Sequence, residues 1–333
     1  PEVTREDRLR AIRAALQEAH RFGITSIQNA HGNAVELELY DELRRAGDLK
    51  IRVYSCLSIR PGFQEEDAER FEEVWKKYVD DPLLKTGAAK IMGDGVIESH
   101  TAVMLAPYAN QSTTGIPNHS TEELNRIITL LDRRGWQIWV HAIGDGMIRQ
   151  VLDAYEQAAK VNPAPARGRR HRIEHVETID ATDVARFGKL GVIASMQPFH
   201  ANPNQNALDV WAGNIGPERA SRAWAWKSIQ DAGGRLAFGS DWSVVSLDPR
   251  IGIHAAVNRT TPRGLPLGGW LPEQKMPLTD VIDAYTIGAA YASFDEERKG
   301  SLAPGMLADL VILSTDIFRL PPEKVLDAVV DVT

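Results

Sequence analysis

Residues 136–146 read WQIWVHAIGDG. An apolar run climbs to one histidine, His141, and breaks at once into Gly144-Asp145-Gly146. Strands this apolar belong to parallel sheets covered on both faces, and in a barrel their last residues face the open mouth. The same form recurs along the chain. GAAKIMGDG leads to Lys90, HRIEHVE to His175 and LAFGSDW to Asp241. Four polar residues at four strand ends predict one metal site assembled from distant pieces of sequence.

Working outward, strand and helix alternate. Helices are expected over 4–22, from an Asn33 cap to Arg45, over 64–80, 146–160, 182–190, 217–232 and 278–292, with a further one near 250–259. Thr4 with Asp7, and Ser120 with Glu123, resemble capping boxes, the second opening a helix that ends at Arg134. Asp145 is a candidate cap for the helix after His141. Strands are expected over 23–30, 51–59, 87–92, 136–142, 169–176, 191–198 and 236–242. Two long loops, 93–119 and 199–216, interrupt the pattern, and loops of that length are usually functional or disordered.

Seven strands in βαβα order argue a parallel sheet with right-handed crossovers. A (β/α)8 barrel needs eight strands. The chain opens at Pro1 directly into a helix, so the expectation is a TIM-type barrel whose first strand lies upstream. The alternative is an open doubly wound sheet, but no Gly-rich phosphate fingerprint follows the first strand. After residue 293 the texture changes to a β segment, with a Pro304-Gly305 turn between two strand-like pieces. The expected division is a barrel over 1–293, holding strands two to eight, and a C-terminal β segment over 294–333.

Composition narrows the function classes. The chain has 333 residues, 43% hydrophobic and 25% charged, as in ordinary soluble domains. A net charge of −7 favours neither nucleic acid nor an anionic membrane as partner. The single cysteine, Cys56, excludes a disulfide framework and a Cys-based zinc site within one chain, and reads as a small buried hydrophobe. No run of 18 apolar residues and no signal peptide is visible, so a cytoplasmic location is expected. The expected partner is a small-molecule substrate, and a homo-oligomer stays open.

Neutral imidazoles at strand ends can bind a divalent metal. A lone histidine is more often a packing residue, but His141 and His175 on adjacent strands, with Asp241 on a third, favour ligands. Asp241 could also carry a proton. Lys90 stays open between a salt bridge and a modified ligand, because a lysine amine reacts with CO2 to a carbamate able to bridge two metals. His200, after MQP at a strand end, is a candidate for substrate binding, as are His100 and Trp242 in mouth loops. Trp211 and Trp270 are further pocket candidates. Arg222 reads as a helix-surface ion pair, and His20, His119 and His171 as structural.

HAIGDG, RIEHVE, MQPFHA, LAFGSDW, AYTIGAAYAS and GSLAPGMLADLVIL together resemble the amidohydrolase superfamily. The likeness is to its family-3 branch, which includes N-substituted formamide deformylases. It runs densely from the Lys90 strand to the end and more weakly before it. The resemblance implies a TIM barrel with a small β-sandwich domain. It implies Lys90, carbamylated, and His141, His175 and Asp241 as ligands of one or two divalent ions, with zinc favoured. It further implies a metal-activated hydroxide attacking an amide or formamide-like C–N centre, with Asp241 passing the proton to the leaving nitrogen. Two features depart from the family. The chain contains no His-x-His, which the superfamily places on the first strand, and it has His100 where relatives are expected to have arginine. A deaminase, an ester, lactone or phosphotriester hydrolase, and an inactive barrel serving as a scaffold remain alternatives.

Overall fold

The computed structural model describes residues 3–79 and 81–333. Seven strands form one parallel sheet in chain order: β1 (Ser26–Asn29), β2 (Arg52–Ser58), β3 (Leu84–Met92), β4 (Gln137–Ala142), β5 (Arg172–His175), β6 (Ile193–Met196) and β7 (Arg235–Phe238). Helix α1 (Arg5–Arg21) precedes β1. The first five strands are followed by α2 (Ala34–Arg45), α3 (Glu65–Trp75), α4 (Thr121–Arg133), α5 (Asp145–Val161) and α6 (Ala181–Leu190).

The sheet curls. Arg172 on β5 reaches across the interior to hydrogen-bond Gln28 on β1, and its guanidinium stacks 3.8 Å from the ring of Trp139 on β4. Tyr54, Cys56, Ala88 and Trp139 fill that interior as a cluster of their own. The outward side chains pack against the helices instead. On α4, Leu124, Ile127, Ile128 and Leu131 are all 1% exposed or less, and each such burial contributes roughly 1.5–3 kcal/mol. Alternate residues of each strand therefore feed two apolar layers, which is why the strands read as continuous apolar runs. The seven-stranded curled parallel sheet is TIM-like, with β1 and β7 as its edges. A cavity of about 2140 Å3 runs between those edges, past Ile12 and Leu16 of α1, to the mouth. No helix among the described residues is long and apolar enough to cross a membrane.

Several local expectations are corrected. The helix expected over 64–80 is α-helical to Trp75 and 3-10 over Lys76–Tyr78, and Asp80 lies outside the described residues. Thr4 and Asp7 do form a capping box, but Ser120 caps α4 alone: the Glu123 carboxylate accepts instead from Gly62 N at 2.6 Å. Asp145 is not the cap of α5. Gly144 holds that position, and Asp145 Oδ1 accepts from Leu105 N at 2.9 Å. The helix expected over 217–232 breaks into Pro217–Ala220 and Trp226–Asp231, because Ala223 bridges to Thr178 and Trp224 N donates to Glu177 O. The helix over 278–292 breaks at Thr286. In the C-terminal segment Ile312–Leu313 pairs antiparallel with Val330–Val332, so the Pro304-Gly305 turn does not join the paired strands. Arg52 fastens this segment to β2 through a two-pronged ion pair with Asp309 at 2.6 and 2.8 Å.

Candidate metal centre

The polar strand ends meet at the C-terminal rim of the sheet. Lys90 stands beside Ser58 and Trp139 in the register, and Ala142 opposite His175. Adjacent strands bring the His141 and His175 rings to 4.5 Å between centroids. The turn after β4 owes its shape to glycine. A Cβ on Gly144 would overlap the Val103 carbonyl, so the 93–119 loop can close over the strand end only because Gly144 has none. His175, Val176 and Asp241 all adopt left-handed backbone, with φ of 79°, 50° and 59°. Such strain costs on the order of 1–3 kcal/mol per residue and gathers at sites where side-chain direction matters.

Three donors converge. One atom each from His175, His200 and Asp241 lie within 4.8 Å of one another. The His200 ring stacks on His175 at 6.0 Å and 10°. Its Nε2 stands 3.8 Å from Asp241 Oδ2, and its Nδ1 stands 3.8 Å from Glu177 Oε1. Nε2 of His200 is buried without a hydrogen-bond partner among the described residues. Ligand atoms about 2.0–2.2 Å from a tetrahedral ion lie roughly 3.3–3.6 Å apart, so a modest inward movement would close this trio on a cation.

Hydrogen bonds set which nitrogens are free. His175 Nδ1 lies 2.8 Å from Gln197 Oε1, and a carbonyl-type oxygen can only accept. Nδ1 therefore carries the proton, and Nε2 keeps its lone pair for a metal. His141 Nε2 lies 3.1 Å from Gly95 O, so in this arrangement it donates there. Burial, then Lys90, holds the His141 imidazole down at about 4. Burial, then His141, Lys90 and His200, pushes His175 well below its ordinary value. Both rings are neutral at pH 7, the form that ligates. Burial raises the Asp241 carboxyl, opposed by His200 and Lys90. Lys90 is 5% exposed and lines the cavity, and no carboxylate lies within 4.0 Å of its Nζ among the described residues.

The other sequence candidates are distributed as follows. His200 lines the cavity, and its ring stands beside His175 and Asp241. His100 Nε2 hydrogen-bonds Asn110 Oδ1 at 2.9 Å and its ring packs 4.8 Å from Tyr108, while its neighbour Glu98 lines the cavity. Trp242 stands half-exposed on the cavity lip. Trp211 lines the wall, and Trp270 packs edge-on against it. Arg222 Nε donates to Ile179 O at 2.9 Å and makes no surface ion pair among the described residues. His20 and His171 hydrogen-bond Lys50 O and Asp132, and His119 Nδ1 stands 3.2 Å from Glu123 Oε2.

Three neighbours were not singled out in the sequence. Gln197 orients His175. Glu177 flanks His200. Asp94 accepts from the amides of Val103, Ile143 and Gly144 at 2.9–3.1 Å and knits the loop to the strand end, while burial lifts its carboxyl to about 7. Asp94 and Glu177 sit within the quoted GAAKIMGDG and HRIEHVE, and their position just past a strand end was the available signal.

Known proteins resemble this chain in sequence and fold. The amidohydrolase family model matches residues 1–333. The chain is 29% identical over 321 residues to the putative amidohydrolase YtcJ of Bacillus subtilis (strain 168), covering 94% of this chain and 58% of that one. It is 26% identical over 301 residues to the N-substituted formamide deformylase of Arthrobacter pascens, covering 88% and 53%. Among solved structures, an uncharacterized metal-dependent hydrolase from Pyrococcus furiosus superposes with a TM-score of 0.78 at 25% identity, covering 94% and 61%. The chain thus spans little more than half the length of these relatives. With a curled parallel sheet, polar strand ends gathered at one rim and a family match along its whole length, the chain belongs to the amidohydrolase family, in its family-3 branch.

Proposed function

We propose that this chain carries the working half of a metal-dependent hydrolase that cleaves a non-peptide C–N bond, amide or formamide-like, in a small molecule. The observation that carries the reading is the convergence of His175, His200 and Asp241 within 4.8 Å, with an orphaned, buried nitrogen on His200. The formamide deformylase relative supports the bond type. His175 Nε2, His200 Nε2 and Asp241 would hold a divalent ion, with His141 and Lys90 beside them. Zinc suits this N/O set, and N/O ligands also admit iron or manganese. Lys90, buried and without a carboxylate partner, suits conversion to a carbamate, which would make it an anionic ligand. A bound ion would supply Lewis acidity toward the substrate carbonyl and acidify water. The residues do the rest. Gln197 holds His175 in the ligating tautomer, and the 93–119 loop shields the rim. Asp241 accepts the proton of the attacking water and returns it to the leaving nitrogen, giving a carboxylic acid and an amine.

The test is metal content and turnover of the full-length protein, with N-formyl and N-acyl amines as substrates. About one or two equivalents of metal are expected. Asp241→Asn should lower turnover by about a hundredfold or more, the scale of a lost general base. No bound metal in wild type, or unchanged turnover in Asp241→Asn, would sink the reading.

A further inference from the structure

Behind the ligand trio stands a buried carboxylate, Glu177, with no Lys or Arg within 4.0 Å among the described residues. A buried carboxylate is costly unless other groups satisfy it. Two side chains address this one. Trp211 Nε1 donates to Oε2 at 2.7 Å, and Oε1 stands 3.8 Å from His200 Nδ1. The main-chain oxygen of Glu177 accepts from Trp224 N at 2.8 Å, which fixes the backbone from which the carboxylate projects. On the far side of the His200 ring, Nε2 faces Asp241 Oδ2 at 3.8 Å and has no hydrogen-bond partner among the described residues.

The imidazole of His200 thus lies between two carboxylates, and in its neutral form it has one N–H to give. Packing decides which side takes it. Trp211 is 1% exposed, stacks on Trp224 at 4.6 Å and 26°, and meets Trp270 edge-on at 6.0 Å and 88°. Its ring cannot swing, so the direction of its N–H is set, and Glu177 is held where that N–H points. Trp211 closes the π-helical turn Asn206–Trp211, within the same long loop that carries His200. An anchored carboxylate on the Nδ1 side draws the proton there. Nε2 then keeps its lone pair facing the Asp241 carboxylate, and two acceptors facing each other suit a cation between them.

We propose that Trp211 is a positioning residue of the metal centre: it acts through Glu177 to hold His200 in the Nδ1–H tautomer, with Nε2 free for the ion. Its indole N–H is committed to Glu177, so it works at one remove from the ion. The gap between Nδ1 and Oε1 closes by about 1 Å when their hydrogen bond forms. A carboxylate behind a ligating imidazole fixes the ring and raises its basicity. The proposal rests on His200 as a ligand, the metal-dependent reading of the same site.

The experiment is a double-mutant cycle on the full-length protein, read by zinc competition with a chelating dye. Trp211→Phe keeps an aromatic ring in the stack and removes the N–H. It should weaken zinc binding by about tenfold in the wild-type background and by less than about twofold in the Glu177→Ala background. A residue that merely braced the loop would weaken zinc in both backgrounds, and additive losses overturn the proposal. A second readout needs no metal: nitrogen NMR of 15N-histidine-labelled, chelator-treated protein at about pH 8, above the ordinary imidazole range. His200 should be the Nδ1–H tautomer in wild type and a mixture in Trp211→Phe. An unchanged tautomer in Trp211→Phe overturns the proposal and leaves the hydrolase standing. If wild type takes up no zinc, yet the tautomer moves in Trp211→Phe, the positioning stands and the metal reading falls. Should Glu177→Ala fail to fold, the tautomer in Trp211→Phe decides alone.

Discussion

Gln197→Leu removes one atom group from the site and leaves every candidate ligand in place. In the wild type the Gln197 amide oxygen lies 2.8 Å from His175 Nδ1, and the side chain is held from behind, with Nε2 donating to Ser195 O at 3.4 Å. Gln197 is 6% exposed, so water does not readily replace it. Leucine is close in volume and offers no acceptor. His175 Nδ1–H is then buried without a partner, at a cost of about 1–3 kcal/mol, and the ring is free to exchange tautomers or rotate. Removing such a partner of a ligating histidine typically weakens metal binding by about 10- to 100-fold, or roughly 1.4–2.7 kcal/mol. The assay is zinc competition with a chelating dye on the full-length protein, alongside Gln197→Glu, whose carboxylate still accepts from Nδ1. Gln197→Leu should bind zinc at least about tenfold more weakly, and Gln197→Glu should retain affinity or gain it. If Gln197→Leu binds zinc as wild type does, His175 is not the oriented ligand described above.

Acid stability should carry a signature of Asp132. Burial alone would raise its carboxyl, but hydrogen bonds from His171, Arg169 and Asn162 override burial and lower it from 3.8 to about 2. A depressed carboxylate stabilises the fold above its unfolded pKa, and the gain fades as pH falls from 3.8 toward 2. The wild-type advantage over Asp132→Asn in urea unfolding should therefore shrink by about 2 kcal/mol between pH 5 and pH 2, and a pH-independent difference would contradict it. Gly144→Ala should destabilise by about 1–3 kcal/mol, because the new methyl overlaps the Val103 carbonyl; unchanged urea unfolding would mean that the 93–119 loop does not rest on the β4 turn.

The strands and most helix starts were legible because they follow from local chemistry. Apolar runs buried on both faces announce parallel strands, and Thr4, Asn33, Ser120 and Pro217 mark helix starts by their own bonding or fixed φ. The misread details share one cause. Asp145 and Glu123 carry the right groups for local caps, but a distant backbone amide, Leu105 N or Gly62 N, takes the carboxylate instead. The 217–232 helix breaks because Glu177, 47 residues before Trp224, claims that residue's amide. Competition from afar leaves no trace in a local pattern.

The site divides along the same line. The sequence by itself determined that Lys90, His141, His175 and Asp241 stand at strand ends, since chain alternation and strand length place them there. It also determined the family, through motifs spread along the chain. Only the tertiary structure decided which of them meet, and which nitrogen of each histidine is free. It drew His200 onto His175 and Asp241, set Gln197 behind His175, and turned His100 toward Asn110. Those choices depend on loops between strands and on left-handed backbone at His175 and Asp241, where packing of the whole rim outweighs local preference. His141 in WQIWVHAIGDG is delivered by its strand, but its neighbours are supplied by the curl of the sheet.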